Sequence, residues 1–415
     1  MIKKKEMTNR LLLLFLAVSY VSFSQTVNIG SLTISAGTQL STVGALDNKA
    51  TGDLVNDGEL FVYSDYNNDG LVTFTPGSTT GFTRMRGISG FQNISGTLPM
   101  EWYDAEFFNG NVQPAFHLSN EVSIGGQANF QNGIVDDATY NGLIVFEDTA
   151  NHNNTSDNSH VDGYVRKNGT TAFRYPIGNG GKYRYASISA PSSSTDAFTG
   201  KYFLQNSNQL YAHSNKAATI TLIDDTEYWT IDKTTGNSDV FLTLSWDAAT
   251  TPATIFAAPY DEIHIVRWDV AQNLWVDEGG VADAVAKEVT TVVNPLTKYG
   301  VFTLARVKVP VSLVVYNAVS PNVDGFNDFF RIDGLETHLN NSVSIFNRWG
   351  VLVYETKAYG NTADGNVFKG ISEGRVTVDK NAKLPAGTYF YVIDVINESD
   401  GSSTKKSGYL YINEK

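Results

Sequence analysis

Two short stretches, Asn56-Asp57-Gly58-Glu59-Leu60-Phe61-Val62-Tyr63 and Asn68-Asp69-Gly70-Leu71-Val72-Thr73-Phe74-Thr75, carry the same message. In each, an Asn-Asp-Gly turn leads into a run where β-branched and aromatic residues alternate with polar ones. Such alternation marks a half-buried strand, because successive side chains point to opposite faces. Asn-Gly and Asp-Gly supply the positive backbone dihedrals of tight hairpin turns. The two turns stand twelve residues apart, a spacing that fits a meander or the rungs of a β-solenoid. One repeat does not separate these, since a solenoid normally shows three or more. A solenoid-like or irregular β-sheet region and a compact sandwich both remain open for residues 25–159. Further short runs at 31–35, 122–124 and 143–146 extend the pattern, and long amphipathic helical stretches are nearly absent.

The N-terminus reads as a secretory signal peptide over residues 1–24. Lys3, Lys4, Lys5 and Arg10 precede an apolar run at 11–18, and small residues at Ser22 and Ser24 place cleavage before Gln25. That run is too short for a transmembrane helix, which needs about 20 apolar residues. The chain has no cysteine, so it forms no disulfide and carries no lipidated cysteine. Removing the signal takes away four basic residues and Glu6, so the net charge of -13 becomes -16. With this acidic balance and no basic run, a nucleic-acid partner is not expected.

A polar run at 152–159 suggests a boundary, and the pattern then changes. Strand-like runs at 163–167, 173–178, 183–188, 227–231, 240–246, 263–268 and 301–305 predict an antiparallel β-sandwich over 160–309. The signatures Tyr175-Pro176-Ile177-Gly178, Tyr228-Trp229 and Leu244-Ser245-Trp246-Asp247 resemble an uncharacterised β module of Bacteroidota surface proteins. That resemblance transfers no activity.

The last segment, 310–415, holds the most specific motifs. Ser320-Pro321-Asn322-Val323-Asp324-Gly325-Phe326-Asn327-Asp328 crowds short oxygen-bearing side chains into one turn. Ile345-Phe346-Asn347-Arg348-Trp349-Gly350 and Leu384-Pro385-Ala386-Gly387-Thr388-Tyr389-Phe390-Tyr391 follow. Together these resemble the gliding-motility-associated C-terminal domain of Bacteroidota, the type B sorting signal of the type IX secretion system. The resemblance implies an immunoglobulin-like β-sandwich and export through the periplasm to the cell surface or medium. The implied partners are the outer-membrane translocon and outer-membrane attachment or shuttle proteins. Its motif maps here onto Pro321, Asn322, Asp324, Gly325, Asn327, Asp328, Arg348, Trp349, Gly350, Pro385, Gly387 and Tyr389, with Val323 where the family usually has glycine. Read as side chains, Gly350 permits a turn, Trp349 covers the end of a core, and Arg348 forks onto a carboxylate or carbonyls. Tyr389 and Tyr391 share one face of a strand and Phe390 and Val392 the other, which predicts burial on both sides. The terminal strand at 409–412 is expected to leave a sheet edge open to a partner.

Chemistry elsewhere is sparse. There is no G-x-S-x-G elbow, no P-loop and no H-E-x-x-H spacing, and without cysteine no thiol nucleophile. Asp65, Asn67 and Asp69 match the opening of a calcium loop, but Pro76 stands where its glutamate belongs. Asn322, Asp324, Asn327 and Asp328 offer a second set of calcium-type oxygens, and His152, Asp157, His160 and Asp162 share one loop. Against these stands the plainer reading of Asx turns that bond their own backbone. Glu101-Trp102-Tyr103-Asp104 and Trp268-Asp269 set acids beside aromatics, as carbohydrate sites often do. The sequence is therefore read as a non-enzymatic exported surface protein of adhesion or gliding motility, without an obligatory cofactor. The alternatives are a secreted carbohydrate-binding protein, with a surface polysaccharide as partner, and a glycoside hydrolase. Exposed coplanar Trp and Tyr on one sheet face would favour carbohydrate binding; inward-pointing aromatics would count against it.

Overall fold

The computed structural model describes residues 25–292, 295–308, 313–335, 338, 340–360, 365–372, 383–396 and 403–413. The signal-peptide segment 1–24 and Pro310 lie outside the described residues. The fold is nearly all-β, and the N-terminal region is a parallel β-solenoid.

Its first face has seven parallel strands: Thr26–Asn28, Leu46–Asn48, Tyr66–Asn68, Gln92–Gly96, Phe116–Leu118, Val135–Asp136 and Val161–Asp162. A second face runs from Ser31–Ile34 to Val165–Asn168, and a third from Gln39–Thr42 to Asn151–Asn153. Inward residues stack from rung to rung. Leu46, Tyr66, Ile94, Phe116 and Val135 line the first face, while Leu60, Met85, Phe107 and Phe130 line the third, all fully buried. The alternation seen in the sequence is thus the in-and-out rhythm of half-buried strands.

The predicted hairpins are absent from this region. Asn56-Asp57-Gly58 turns the chain from the second face to the third, and Asn68-Asp69-Gly70 from the first to the second. Their twelve-residue spacing joins two different corners, so it is not the repeat. The first repeats are 20 residues long, and buried asparagines mark them. Asn28 Nδ2 donates to Asn48 Oδ1 at 2.8 Å, and Asn48 Nδ2 to Asn68 Oδ1 at 2.8 Å. Gly58 and Gly70 are not in the left-handed region. A Cβ on Gly70 would lie 2.3 Å from Gly52 O, and one on Gly58 2.5 Å from Thr38 O. Glycine is needed at these corners because the neighbouring rung is too close, not because the turn is tight.

The second face does not stop at residue 159. Val165–Asn168 pairs in parallel with Leu143–Phe146 on one side and antiparallel with Ala197–Phe203 on the other. Through Tyr228–Thr235, Gly300–Val307, Ile263–Asp269 and Leu274–Asp277 it grows into a 13-stranded sheet. A five-stranded sheet that includes Phe173–Arg174, Ala186–Ile188, Leu242–Ser245 and Glu288–Thr290 shares its core. Phe198, Tyr202, Trp229, Ile231 and Phe302 from one sheet meet Phe173, Ile188, Leu242 and Val289 from the other. One apolar core runs without a break from Ile34 to Leu304. The middle-block signatures serve this core: Tyr175 Oη donates to Phe198 O at 3.0 Å, and Trp229 Nε1 to Arg184 O at 3.1 Å.

The C-terminal domain has a separate core and a five-stranded sheet. Its order is Ala318–Val319, Ser403–Ile412, Gly387–Ile396, Asn341–Asn347 and Leu352–Lys357. A ribbon of Val314–Val315 and Ile332–Asp333, with Phe330 and Phe368, covers the core side. The terminal strand is interior to the sheet order, between Gly387–Ile396 and Ala318–Val319. The expected open edge is closed only at Tyr411 and Ile412, which pair with Ala318–Val319. Among the described residues, Ser403 to Leu410 have the Gly387–Ile396 strand as their one strand neighbour, and the sheet's outer strands are Ala318–Val319 and Leu352–Lys357.

Candidate functional site

The strand Gly387–Ile396 ties the C-terminal domain to the rest. Tyr389, Tyr391, Ile393 and Val395 enter the domain's own core. Phe390 and Val392, with Phe346 and Leu352, pack instead on Val281 and Val292 of the middle module. The second face read from the sequence is buried at Val392 and half-buried at Phe390, and what covers it is the passenger. Ser407 Oγ donates to Gly280 O at 2.7 Å, and Lys406 Nζ pairs with Asp261 at 3.0 Å. A polar cleft of about 670 Å³ remains between the two parts, lined by His264, Asp277, Lys308 and Lys405 among others. In it, His264 Nδ1 lies 2.8 Å from Asp277 Oδ1.

Strand registers gather the motif at one end of the sheet. Val319 is beside Ile412, Ile412 beside Gly387, and Tyr389 beside Asn347. The 320–328 loop, the 347–351 turn and the 384–387 turn therefore leave the same end. In the loop, Asp328 accepts from Asp324 N at 3.2 Å and Gly325 N at 2.8 Å. Asp324 accepts from Asn322 Nδ2 at 2.7 Å and Phe326 N at 2.8 Å. Ser320 N donates to Asn327 O at 2.7 Å, which closes the loop. The carboxylates thus bind the loop's own N–H groups, the arrangement of an Asx turn. Val323 has φ 61° and Asn327 φ 56°, so Val323 takes a left-handed conformation that a β-branched residue strongly disfavours. Pro321 packs on Gly370, where a Cβ would come within 2.8 Å of its ring.

The 347–351 turn departs from its sequence reading. Trp349 does not cover the core: it is 61% exposed, and Arg348 lies over its ring at 4.6 Å instead of forking onto an acceptor. Asn347 Oδ1 holds the turn by accepting from Trp349 N at 2.9 Å and Val351 N at 3.0 Å. Gly350 has φ 73°, and a Cβ there would lie 2.5 Å from the Phe241 ring of the middle module. At the third turn, Tyr389 Oη donates to Pro385 O at 3.0 Å. Val323 is 91% exposed and Phe326 76% exposed. This end of the domain therefore presents two apolar side chains and the Arg348–Trp349 pair to solvent.

Residues 313–412 match the family model of the CHU_C type IX secretion signal domain. The middle block lies outside that match, and no curated protein is significantly similar to the chain. The chain is thus cargo of the type IX secretion system, addressed to the cell surface or extracellular space, and its signal domain interacts with that machinery.

The other sequence candidates disperse. Asp65, Asn67 and Asp69 lie along and just beyond the extended strand Tyr66–Asn68, not around a calcium loop. Asp65 accepts from Asn93 N at 2.8 Å, Asn67 donates to Asp47 at 3.0 Å, and Asp69 accepts from Thr97. His152 is packed among Phe130, Phe146 and Phe173, and burial lowers its pKa to about 4. His160 Nδ1 meets Ser156 O, Asp157 holds Lys182, and Asp162 accepts from Asn179. Among the described residues no three His, Asp or Glu side chains gather as a metal site.

For sugar chemistry, Trp102, Trp229, Trp246, Trp268 and Trp275 are buried, so the tryptophans of the solenoid and middle module form no exposed platform. Trp102 points inward, Glu101 accepts from Thr73 Oγ1, and Asp104 from Gln127 N. Asp269 is held down to about 2, chiefly by its hydrogen bond with Lys298. The sequence did not single out Asp224 and Glu227, two fully buried carboxylates near one another. Tyr202 Oη donates to Glu227 at 2.6 Å, and burial raises both pKa values, that of Asp224 to about 8. No polar periodicity announces such a pair, because its residues come from one buried turn.

Proposed function

We propose that the chain is a non-enzymatic surface protein in which a seven-rung solenoid and its fused β module are displayed by the signal domain for adhesion or gliding. The supporting observation is the packing of buried Val392 and half-buried Phe390 against Val281 and Val292. Passenger and signal pack as a unit, so what the machinery delivers is a long, rigid solenoid. The exposed end of the signal domain, with Val323, Phe326 and the Arg348–Trp349 pair, is the surface the translocon reads. Outer-membrane shuttle proteins are the next partners after it. The loop needs no calcium in this reading, since backbone N–H groups already occupy Asp324 and Asp328. A second reading, glycan binding, is favoured by a groove on the first solenoid face.

Cell fractionation tests the address. The full chain should reach the surface or medium, while a chain ending at Pro310 stays in the periplasm. That truncation also bares Val281 and Val292, so a double variant, Phe326→Ser with Trp349→Ser, accompanies it. Both side chains are exposed, and the variant should fold but stay in the periplasm. Surface delivery of the double variant would refute tip recognition, and surface delivery of the truncation would refute the address itself.

A further inference from the structure

We infer that the first face of the solenoid carries a binding groove for an uncharged, hydroxyl-rich oligosaccharide, centred on His117 and Tyr140. This deepens the glycan reading above and rests on it.

A cavity of about 310 Å³ opens on this face. Asn67, Asn93 and His117 project into it from neighbouring strands; Ser95 pairs with Asn67 in register, and Asn93 with His117. Neighbouring strands lie about 4.8 Å apart, so the groove offers a polar side chain at each rung. The strands Leu46–Asn48 to Phe116–Leu118 are paired on both sides. No strand edge is open here, and a peptide cannot dock by strand addition. Recognition falls to side chains.

On the other two faces several charged side chains pair with one another or with a neighbouring hydroxyl. On the third, Arg84 and Arg86 close onto Glu106 at 3.0 and 2.5 Å. On the second, Ser123 donates to Glu147 and Arg166 to Glu121. On the first, Asp65 is taken by Asn93 N and Nδ2. The His117 ring nitrogens, Tyr140 Oη, Ser119 Oγ and Asn93 Oδ1 make no hydrogen bond to other protein atoms among the described residues. They are four sets of donors or acceptors converging on one concavity.

The ring geometry is fixed. His117 is stacked between Phe91, at 4.1 Å and 25°, and Tyr140, at 4.3 Å and 18°. This stack holds the imidazole and phenol edges toward the groove without a rotamer search on binding. Burial lowers the His117 pKa, so at neutral pH the ring carries one donor and one acceptor, which suits a vicinal diol. Charge then selects the class of ligand. Asp47 and Asp65 line the groove, and the cation nearest Asp47, Lys49, is bound to it at 2.5 Å. A uronate or sulfated sugar would meet carboxylates with no Lys or Arg among the described residues that line the groove, whereas an uncharged sugar meets hydrogen-bonding groups and rings.

The test uses the chain from Gln25 to Lys415 and immobilised hexasaccharides of glucan, mannan, xylan and galactan, with alginate and a sulfated galactan as anionic probes. Binding to at least one neutral hexasaccharide is expected, with affinity at least tenfold above either anionic probe. Tyr140→Ala should lose at least tenfold. Because that change loosens the stack, Ser119→Arg is the second variant: it fills the groove from an exposed position, leaves the core intact, and should abolish binding. Neutral-glycan binding that survives Ser119→Arg overturns the site and leaves the glycan reading standing. Preference for an anionic probe overturns the assigned class. Binding to none of the probes overturns the site and the glycan reading together.

Discussion

Gly70 distinguishes a solenoid corner from a hairpin more sharply than any other residue. In a hairpin, the glycine of Asn-Asp-Gly supplies a left-handed conformation, and asparagine replaces it at small cost. In the solenoid corner, Gly70 is not left-handed, and a Cβ would lie 2.3 Å from Gly52 O and 2.4 Å from Lys49 O. Both are backbone atoms, so no side chain can rotate away. Restoring ordinary contact requires the two rungs to separate by about 1 Å, as overpacked interiors do at a cost. That movement stretches the bond from Leu71 N to Gly52 O, now 2.9 Å, beyond useful length. One lost backbone hydrogen bond costs about 1 kcal/mol and the overpacking about 2 kcal/mol more. Gly70→Ala and Gly70→Asn should therefore both cost about 3 kcal/mol. Urea unfolding of the chain from Gln25, followed by far-ultraviolet circular dichroism, gives the cost. Hydrogen exchange across residues 46–73 localises it. An asparagine variant within about 0.5 kcal/mol of the parent, with alanine clearly worse, would mean that conformation and not rung spacing demands the glycine.

Two further outcomes follow from strain and from burial. Val323→Gly should stabilise the signal loop by about 1 kcal/mol, because release of left-handed strain exceeds the added chain entropy; slower exchange of the Gly325 and Phe326 amides would show it, and faster exchange would refute it. Asp224, raised to about 8 by burial and then by Glu227, keeps its proton when folded and releases it near 3.8 when unfolded. The native state then binds more protons than the unfolded state between those values, so stability falls as pH rises from about 4 to about 8. Asp224→Asn keeps an acceptor for Thr226 and should shrink the difference between urea midpoints at pH 5 and pH 8; an unchanged difference would exclude Asp224 as its source.

The sequence is most legible where structure is local. Alternation at 59–63 identifies strands because a strand shows its period in four residues. The signal domain is legible because its turns need particular residues: Gly350 for a left-handed step, and Asp324 and Asp328 for the N–H groups of their own loop. Rung connectivity is less legible. Asn28, Asn48 and Asn68 recur at 20 residues and could have given the repeat, but later rungs change length. Ser95 pairs with Asn67 across 28 residues, and Gly96 replaces the next asparagine. The groove is less visible still, since Phe91, His117 and Tyr140 come from three different rungs. Trp349 is harder to read, because a tryptophan in a turn usually caps a core, whereas here it stands exposed with Arg348 over its ring.

The two faces of the Gly387–Ile396 strand limit where recognition of the signal can occur. One face is closed by the domain's own core through Tyr389, Tyr391 and Ile393, the other by the passenger through Phe390 and Val392. The terminal strand, which sequence position alone would make the natural handle, is held by neighbours on both sides over its last residues, Tyr411 and Ile412. Besides the outer strand edges at Leu352–Lys357 and at Ser403 to Leu410, what stands exposed is the end of the sheet where the three motif turns meet. Val323 and Phe326 stand there in water, and no intramolecular contact explains keeping large apolar side chains so exposed. On the reading proposed here, a partner covers them, and it approaches along the strand axis. The same approach leaves the passenger docked on Phe390 and Val392, so engaging the signal does not require the two parts to separate.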